Sequence, residues 1–130
     1  IGNFRRRILK QVFPQKFSYY GRYDSKKYYS RYETYIKKFL STTPKAKGVT
    51  CLVGWDNTSR YGLNGRVLEN YSEYTVASHV SNVIDLSKEA GCEFLFIKAF
   101  NEWAEGNVLE PCDKFGESLF KEISDKLNQC

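Results

Sequence analysis

The chain has 130 residues, of which 42% are apolar and 16% aromatic, a composition typical of a globular domain with its own core rather than a disordered segment. Residues 1–7 lack the long apolar run that a secretory signal or a membrane span requires, so we expect a soluble chain, clipped from a longer protein. The net charge of +5 is uneven: residues 1–47 carry 13 Lys or Arg and 2 acids, whereas residues 48–130 carry 7 and 13.

The basic half, residues 1–47, allows two interpretations. Concentrated positive charge indicates an anionic partner such as nucleic acid, an acidic membrane surface or a sugar-nucleotide diphosphate. It is also typical of a solvated face whose acidic neighbours lie on other segments, which we favour because charge alone specifies function weakly. Because the chain has no recognised nucleic-acid-binding motif, we expect no nucleic-acid partner.

The first predicted helix starts at a cap formed by Asp24 or Ser25 and ends near Leu40. Seven tyrosines lie between residues 19 and 35. Their helical spacing favours packing of a buried face over a surface that stacks on sugars or bases, with one or two of them left to reach a substrate. The predicted inner face consists of Tyr28, Tyr32, Tyr35, Ile36 and Phe39.

A strand and a long connection follow the first helix. Residues 48–54 are apolar between two glycines, which predicts a short strand buried on both faces, as in parallel sheets. Residues 57–70 contain two glycines and two asparagines before residue 66, and we expect them to form a long loop.

The second half of the chain repeats the alternation of helix and strand. Ser72 is the expected N-cap of a second helix, Gly91 closes it, and residues 93–100 form a second buried strand. The order predicts an α/β fold with parallel strands, and two strands are too few for a complete sheet, so we expect the end of a larger domain. The helix faces consist of Val76, Val80, Val83 and Ile84, and then of Leu119, Phe120, Ile123 and Leu127.

Cysteine and histidine spacing argues against a metal site. The four cysteines form no Cys-x-x-Cys pair, and His79 is expected to be an exposed or satisfied helix residue. Cys51 and Cys92 lie in or beside apolar runs, where free thiols behave as small hydrophobes and suit a reducing compartment. We therefore expect a cytoplasmic protein with no metal and no cofactor.

Polar clusters follow both predicted strands. Trp55, Asp56 and Asn57 follow the first, and residues 101–105 follow the second. In parallel α/β sheets and barrels, ligands bind at the carboxyl ends of the strands. Indole rings, carboxylates and amides suit sugars, because sugars present apolar faces and many hydroxyls.

Two carboxylates, Glu102 and Glu105, lie three residues apart around Trp103. In a helical turn their Cβ atoms would be about 5–6 Å apart on one face, close enough to act on one glycosidic centre as proton donor and ionised partner. The alternative is that the acids only favour a helix start, and that Trp55 and Trp103 are core aromatics. The strand-end position favours the sugar site.

Two motifs of the chain occur together in a specific order: Val53-Gly54-Trp55-Asp56-Asn57-Thr58-x-Arg60, then Phe100-Asn101-Glu102-Trp103-Ala104-Glu105-Gly106 with Leu109-Glu110-Pro111. With them, most of residues 17–127 resembles the C-terminal part of the WbsX glycosyltransferase-like family of bacterial surface polysaccharide clusters. That family is itself similar to the family-99 glycoside hydrolases. The resemblance implies that residues 1–130 are the C-terminal portion of a (β/α)8 barrel, with about two of its parallel strands.

The resemblance also implies roles for individual residues. Glu102 would be the base that activates the sugar 2-hydroxyl for attack on its own anomeric carbon, and Glu105 the general acid and base. The remaining motif residues would bind substrate, with Arg60 as a sugar or phosphate contact. They are Trp55, Asp56, Asn57, Arg60, Asn101 and Trp103.

These observations lead to a carbohydrate-active enzyme, a glycosyltransferase or glycosidase acting on glycosidic bonds in surface polysaccharide of the O-antigen type. Its expected partner is an oligosaccharide or sugar-nucleotide substrate. The alternative is a non-catalytic polysaccharide-binding or truncated remnant, since part of a barrel cannot enclose a complete site. We expect activity in the full-length family protein and none in these 130 residues alone.

Overall fold

A computed structural model describes residues 21–128, which alternate strands and helices. Short 3₁₀ turns at Gly62–Asn64 and Trp103–Glu105 interrupt the connections. In chain order, the strands are β1 (Gly21–Asp24), β2 (Gly48–Leu52), β3 (Arg66–Glu69), β4 (Phe94–Lys98), β5 (Asn101–Glu102) and β6 (Asn107–Val108), and the helices are α1 (Ser25–Thr42), α2 (Thr58–Tyr61), α3 (Glu73–Glu89) and α4 (Ser118–Asn128).

The strands of the described region pair two by two. β2 lies parallel to β4, with Gly48 opposite Phe94 and Leu52 opposite Lys98. β1 lies parallel to β3, and the short β5 and β6 are antiparallel. The predicted α/β class with parallel strands is therefore confirmed, and the helical connection from β2 toward β4 has the form that parallel strands require.

The prediction of a long loop over residues 57–70 is wrong. This segment contains α2, a 3₁₀ turn and β3. β3 is held on one side by β1 and on the other by the residues after β2, where Leu68 N donates to Trp55 O at 2.8 Å and Asn57 N donates to Arg66 O at 3.1 Å. Hydrogen bonds to distant segments, which periodicity does not report, make this short stretch a strand.

Helix α3 forms the centre of the core, and its caps and buried stripe are those that the sequence predicts. Ser72 Oγ accepts from Thr75 N at 3.2 Å as the N-cap, and Gly91 follows the helix with a φ of +66°, a conformation that favours glycine. The helix packs against α1, α4 and β2. Its buried residues include Val76, Val80, Val83 and Ile84.

The other two long helices keep their predicted positions but bury fewer residues than their stripes suggest. Asp24 Oδ1 caps α1 by accepting from Lys27 N at 3.1 Å, as predicted. Tyr35 and Phe39 of α1 are exposed, and so are Phe120 and Leu127 of α4, because neighbouring elements cover only part of each face. Within residues 21–128, no helix combines the length and apolar character that crossing a membrane demands. The residues that these helices bury include Tyr29 and Ile36 on α1 and Leu119 and Ile123 on α4.

Burial of β2 and β4 on both faces is also a wrong prediction for the described region. Val49 and Cys51 are buried on the face toward α3, whereas Phe94 and Phe96 on the opposite face are 55% and 57% exposed. The apolar run predicts the strand but not whether both of its faces are buried, because burial depends on elements from other parts of the fold.

The cysteines of the described region are free thiols. Cys51 is fully buried, and burial raises the pKa of its thiol to about 12, so it packs as a small apolar side chain. Cys92 and Cys112 are half-buried and free. The fourth cysteine, Cys130, lies outside the described residues, as do residues 1–20 of the basic half, which include Tyr19 and Tyr20.

His79 joins α3 to α1 and is a buried histidine rather than an exposed one. It is 1% exposed, its ring stacks on Tyr29 with centroids 4.2 Å apart, and its Nδ1–H donates to Glu33 Oε1 at 2.7 Å. Burial lowers the pKa of His79 despite the opposing effect of Glu33.

The histidine should make folding stability depend on pH. A folded pKa below the ordinary value of 6.5 means that the stabilisation is complete above that pH and is lost as the pH falls below it. We expect the free energy of unfolding to fall as the pH drops below about 6.5, with a slope of at most about 1.4 kcal/mol per pH unit. Urea unfolding of the wild type and of His79→Gln, which keeps a donor for Glu33, measures this slope; the same slope in both proteins would contradict it.

Candidate active site

The carboxyl ends of β2 and β4 lie side by side and carry the two predicted polar clusters. Val53 N donates to Lys98 O at 3.2 Å, which continues the parallel pairing beyond the strands. After the chains diverge, Asp56 N donates to Glu105 O at 2.7 Å. Residues 55–57 and 101–105 therefore meet in space, as expected for parallel strands that end at the same edge.

Two glycines permit this close approach. A Cβ atom on Gly54 would lie 2.7 Å from Gly106 O, and one on Gly106 would lie 2.9 Å from Asp56 N. Gly106 also has a φ of +62°, which side-chain-bearing residues rarely adopt. Both glycines therefore hold the loop with Glu105 directly against the end of β2.

The two acids share one cation. Arg60 Nη2 lies 3.5 Å from Glu102 Oε1, and Arg60 Nη1 lies 3.5 Å from Glu105 Oε1. Glu102 ends β5 and Glu105 ends the 3₁₀ turn, so the turn expected between them is tighter than an α-helical one. One guanidinium bridges both carboxyl groups, which places them around a common point.

Lys98 is a functional candidate that the sequence analysis missed. Its Nζ lies 3.2 Å from Glu105 Oε2 and 5.2 Å from the centroid of the Trp55 ring. Glu105 thus lies between two cations, and its side chain is 21% exposed against 39% for Glu102. The sequence does carry a signal for Lys98, which is the charged last residue of an otherwise apolar strand. A lysine in such surroundings needs a partner for its charge.

Asp56 and Asn57 shape the backbone that carries Arg60. Asp56 Oδ1 accepts from Thr58 N at 2.9 Å and Thr58 Oγ1 at 2.6 Å, which starts α2. Asn57 Oδ1 accepts from Arg66 N at 2.7 Å. These bonds engage one oxygen of each side chain and orient the short helix toward the acids.

A further contact ties this helix to the acidic loop. Ser59 Oγ donates to Ala104 O at 3.1 Å, so α2 and the turn that carries Glu105 are joined directly. Asn107, another residue that the sequence analysis missed, is fully buried and donates from Nδ2 to Glu105 O at 3.2 Å. The backbone around Glu105 is therefore held from both sides.

Trp103 and Asn101 have other partners than the shared cation. Trp103 is 59% exposed, and its indole Nε1–H donates to the carboxylate of Glu110, so it is not a core aromatic. Asn101 is exposed and pairs through its backbone with Val108. Neither residue contacts Arg60 within the described region, although both lie on the same loop as the acids.

An open groove of about 650 Å³ is lined in part by Lys98, which contacts Glu105, whereas Glu102, Glu105 and Arg60 do not line it. Among the predicted substrate residues, Trp55 and Asn57 line it, and Lys98 lies between it and Glu105. Five of its thirteen lining residues are aromatic, and such rings can pack on the apolar faces of sugars. The lining aromatics are Tyr23, Tyr28, Tyr32, Trp55 and Tyr61.

The arrangement offers acid, base and cation chemistry. Across residues 21–128, no group of three His, Cys, Asp or Glu side chains has the arrangement of a metal site. The reactive groups of the cluster are two carboxylates, a guanidinium and an ammonium, and paired carboxylates can exchange protons with an oxygen leaving group and a nucleophile.

Comparison with known proteins gives one match. The family described as Glycosyltransferase WbsX matches residues 4–123, which include both clusters of the site. Neither the curated proteins nor the solved structures contain a match to the chain.

Proposed function

Because the chain belongs to the WbsX glycosyltransferase family, we propose that it forms or cleaves glycosidic bonds in the assembly of bacterial surface polysaccharide. In this proposal β2 and β4 are late strands of a (β/α)8 barrel, and the acids lie at its carboxyl-end face. The substrate is an oligosaccharide or a sugar nucleotide. The free thiols of the described region support the cytoplasm as its compartment.

The observation that supports this function best is the shared contact of Glu102 and Glu105 with Arg60. Carboxylates that only favour a helix start need no common partner, whereas a pair that acts on one anomeric centre must converge. Arg60 comes from a different segment, 42 and 45 residues earlier in the chain. We assign Arg60 the positioning of both acids.

In the proposed reaction, Glu102 removes the proton of the sugar 2-hydroxyl as that oxygen attacks the anomeric carbon. Glu105 simultaneously gives a proton to the departing glycosidic oxygen. Glu105 then takes a proton from the incoming water or acceptor hydroxyl, which opens the intermediate, and the 2-oxygen regains its proton from Glu102. Water as the incoming group results in hydrolysis, and a sugar hydroxyl results in transfer.

The test is turnover of polysaccharide and of glycosides with poor leaving groups by the full-length protein, with Glu102 and Glu105 replaced separately by Gln. Gln keeps the volume of the side chain but cannot exchange the proton. Loss of turnover in both variants supports the proposal. Unchanged turnover in either would contradict its catalytic role, and glycan binding without turnover by the wild type would favour a binding protein.

A further inference from the structure

Three tyrosines form an aromatic wall in the groove that Lys98 links to Glu105. Tyr23 and Tyr28 meet edge to face with ring centroids 6.2 Å apart, and Tyr28 and Tyr32 stack with an interplanar angle of 10° and centroids 6.3 Å apart. We call Tyr23, Tyr28 and Tyr32 the tyrosine wall. Tyr32 is fixed by its hydroxyl, which donates to Thr50 O at 2.8 Å.

The tyrosine wall separates two adjoining grooves. One is the groove of about 650 Å³ that reaches Lys98 and Trp55. The other, of about 540 Å³, lies along the start of α1 and shares all three tyrosines with the first. The two grooves therefore lie next to each other along the tyrosine wall, and we call them together the track.

Positive charge lines both parts of this track. Arg66 and Lys98 line the first groove, and Lys27 and Arg31 line the second together with Arg22, which pairs with Glu69. In the described region, no ion pair engages the side chains of Lys27, Arg31 or Arg66.

Negative charge is scarce along the same track. Its lining carboxylate is Asp24, whose Oδ1 accepts from Lys27 N and whose Oδ2 accepts from Asn70 Nδ2. These two hydrogen bonds lower the pKa of Asp24 and engage both of its carboxylate oxygens within the protein. Apart from Thr50, the exposed side chains of the track are therefore aromatic, cationic or amide.

We propose that the tyrosine wall and its flanking cations bind an acidic oligosaccharide, one whose sugar units carry carboxylates, and guide it to the acids. Pyranose faces would pack on the tyrosine rings, and uronate carboxylates would pair with the guanidinium groups of Arg31 and Arg66. Lys98 connects the track to the reaction centre because it lines the groove and contacts Glu105. The inference rests on the proposed function and adds the substrate class to it.

The binding experiment uses the full chain and two probes of equal length, an oligogalacturonate and its neutral methyl ester. Calorimetric titration should show at least about tenfold tighter binding of the acidic probe, a difference that shrinks as salt rises. Equal affinity for both probes would overturn the proposal. Uridine diphosphate is the third arm, and tighter binding of this nucleotide than of the oligogalacturonate would assign the cations to a sugar-nucleotide donor and overturn it as well.

Variants separate the two parts of the track. Arg31→Gln and Arg66→Gln should each weaken binding of the acidic probe about three- to tenfold and leave the affinity for the neutral probe unchanged. Lys37→Gln, an exposed α1 cation outside the track, is the matched control and should change neither. An equal loss in the control would show a general charge effect and overturn the site.

The aromatic part has its own control. Tyr28→Ala should weaken binding of both probes. Tyr35→Ala should leave both affinities unchanged, because Tyr35 is 64% exposed and lies outside the track, against Phe39. Measuring binding and turnover separately distinguishes failure of this proposal from failure of the proposed function. A preserved preference for the acidic probe with no turnover would refute the catalytic proposal alone, and turnover without that preference would refute the acidic track alone.

Discussion

Replacing Glu105 with Gln is expected to lower kcat about 10²- to 10⁴-fold on glycosides with poor leaving groups, such as the hydroxyl group of a second sugar. A sugar oxygen leaves with difficulty unless it is protonated, and the proposed donor is the Glu105 carboxyl group. Steady-state kinetics of the full-length protein measure this loss. Retention of more than a tenth of the wild-type kcat would contradict the assignment.

The leaving group distinguishes the two acids. The dinitrophenolate of a dinitrophenyl glycoside departs without protonation. Cleavage of that glycosidic bond should therefore be far less sensitive to Glu105→Gln. Glu102→Gln should slow both substrates, because activation of the 2-hydroxyl does not depend on the leaving group. Glu122→Gln on the exposed side of α4 is the matched control and should retain wild-type kinetics.

The Ile123→Ala variant is expected to lose about 2–5 kcal/mol of unfolding free energy. Ile123 is 2% exposed, belongs to the main core and lies on α4, which packs against α3. The lost apolar contacts and the remaining cavity both destabilise the fold. Urea unfolding followed by circular dichroism measures the change.

Phe120→Ala is the matched control on the same helix. Phe120 is 43% exposed, and its ring meets Phe100 edge to face with centroids 6.3 Å apart. We expect a loss of only about 0.5–1.5 kcal/mol, the value of such an aromatic pair. A loss equal to that of Ile123→Ala would show that α4 buries a different face.

Local chemistry in the sequence predicted the three long helices, α1, α3 and α4, but not the short α2. Asp24 and Ser72 cap α1 and α3 because their side-chain oxygens accept from backbone N–H groups three residues later. Strands β2 and β4 were located by their apolar runs, whereas β1, β3, β5 and β6 were not predicted. The cover of β2 and β4 was not predicted either, since Phe94 and Phe96 are exposed where the run alone predicted burial.

Strand β3 shows the limit of periodicity. Its four residues, Arg66–Glu69, carry too little pattern to be distinguished from a loop. The pairing with β1 and the bond from Leu68 N to Trp55 O come from distant segments. Such short strands are stabilised by their neighbours rather than by their own propensity.

For the candidate site, the sequence by itself determined the two acids, their spacing around Trp103 and their position after an apolar strand. Only the tertiary structure decided that Arg60 contacts both acids and that Lys98 contacts Glu105. Local spacing reports residues on one turn or strand, whereas these contacts depend on parallel pairing of β2 with β4 and on the close approach of the loops that follow them.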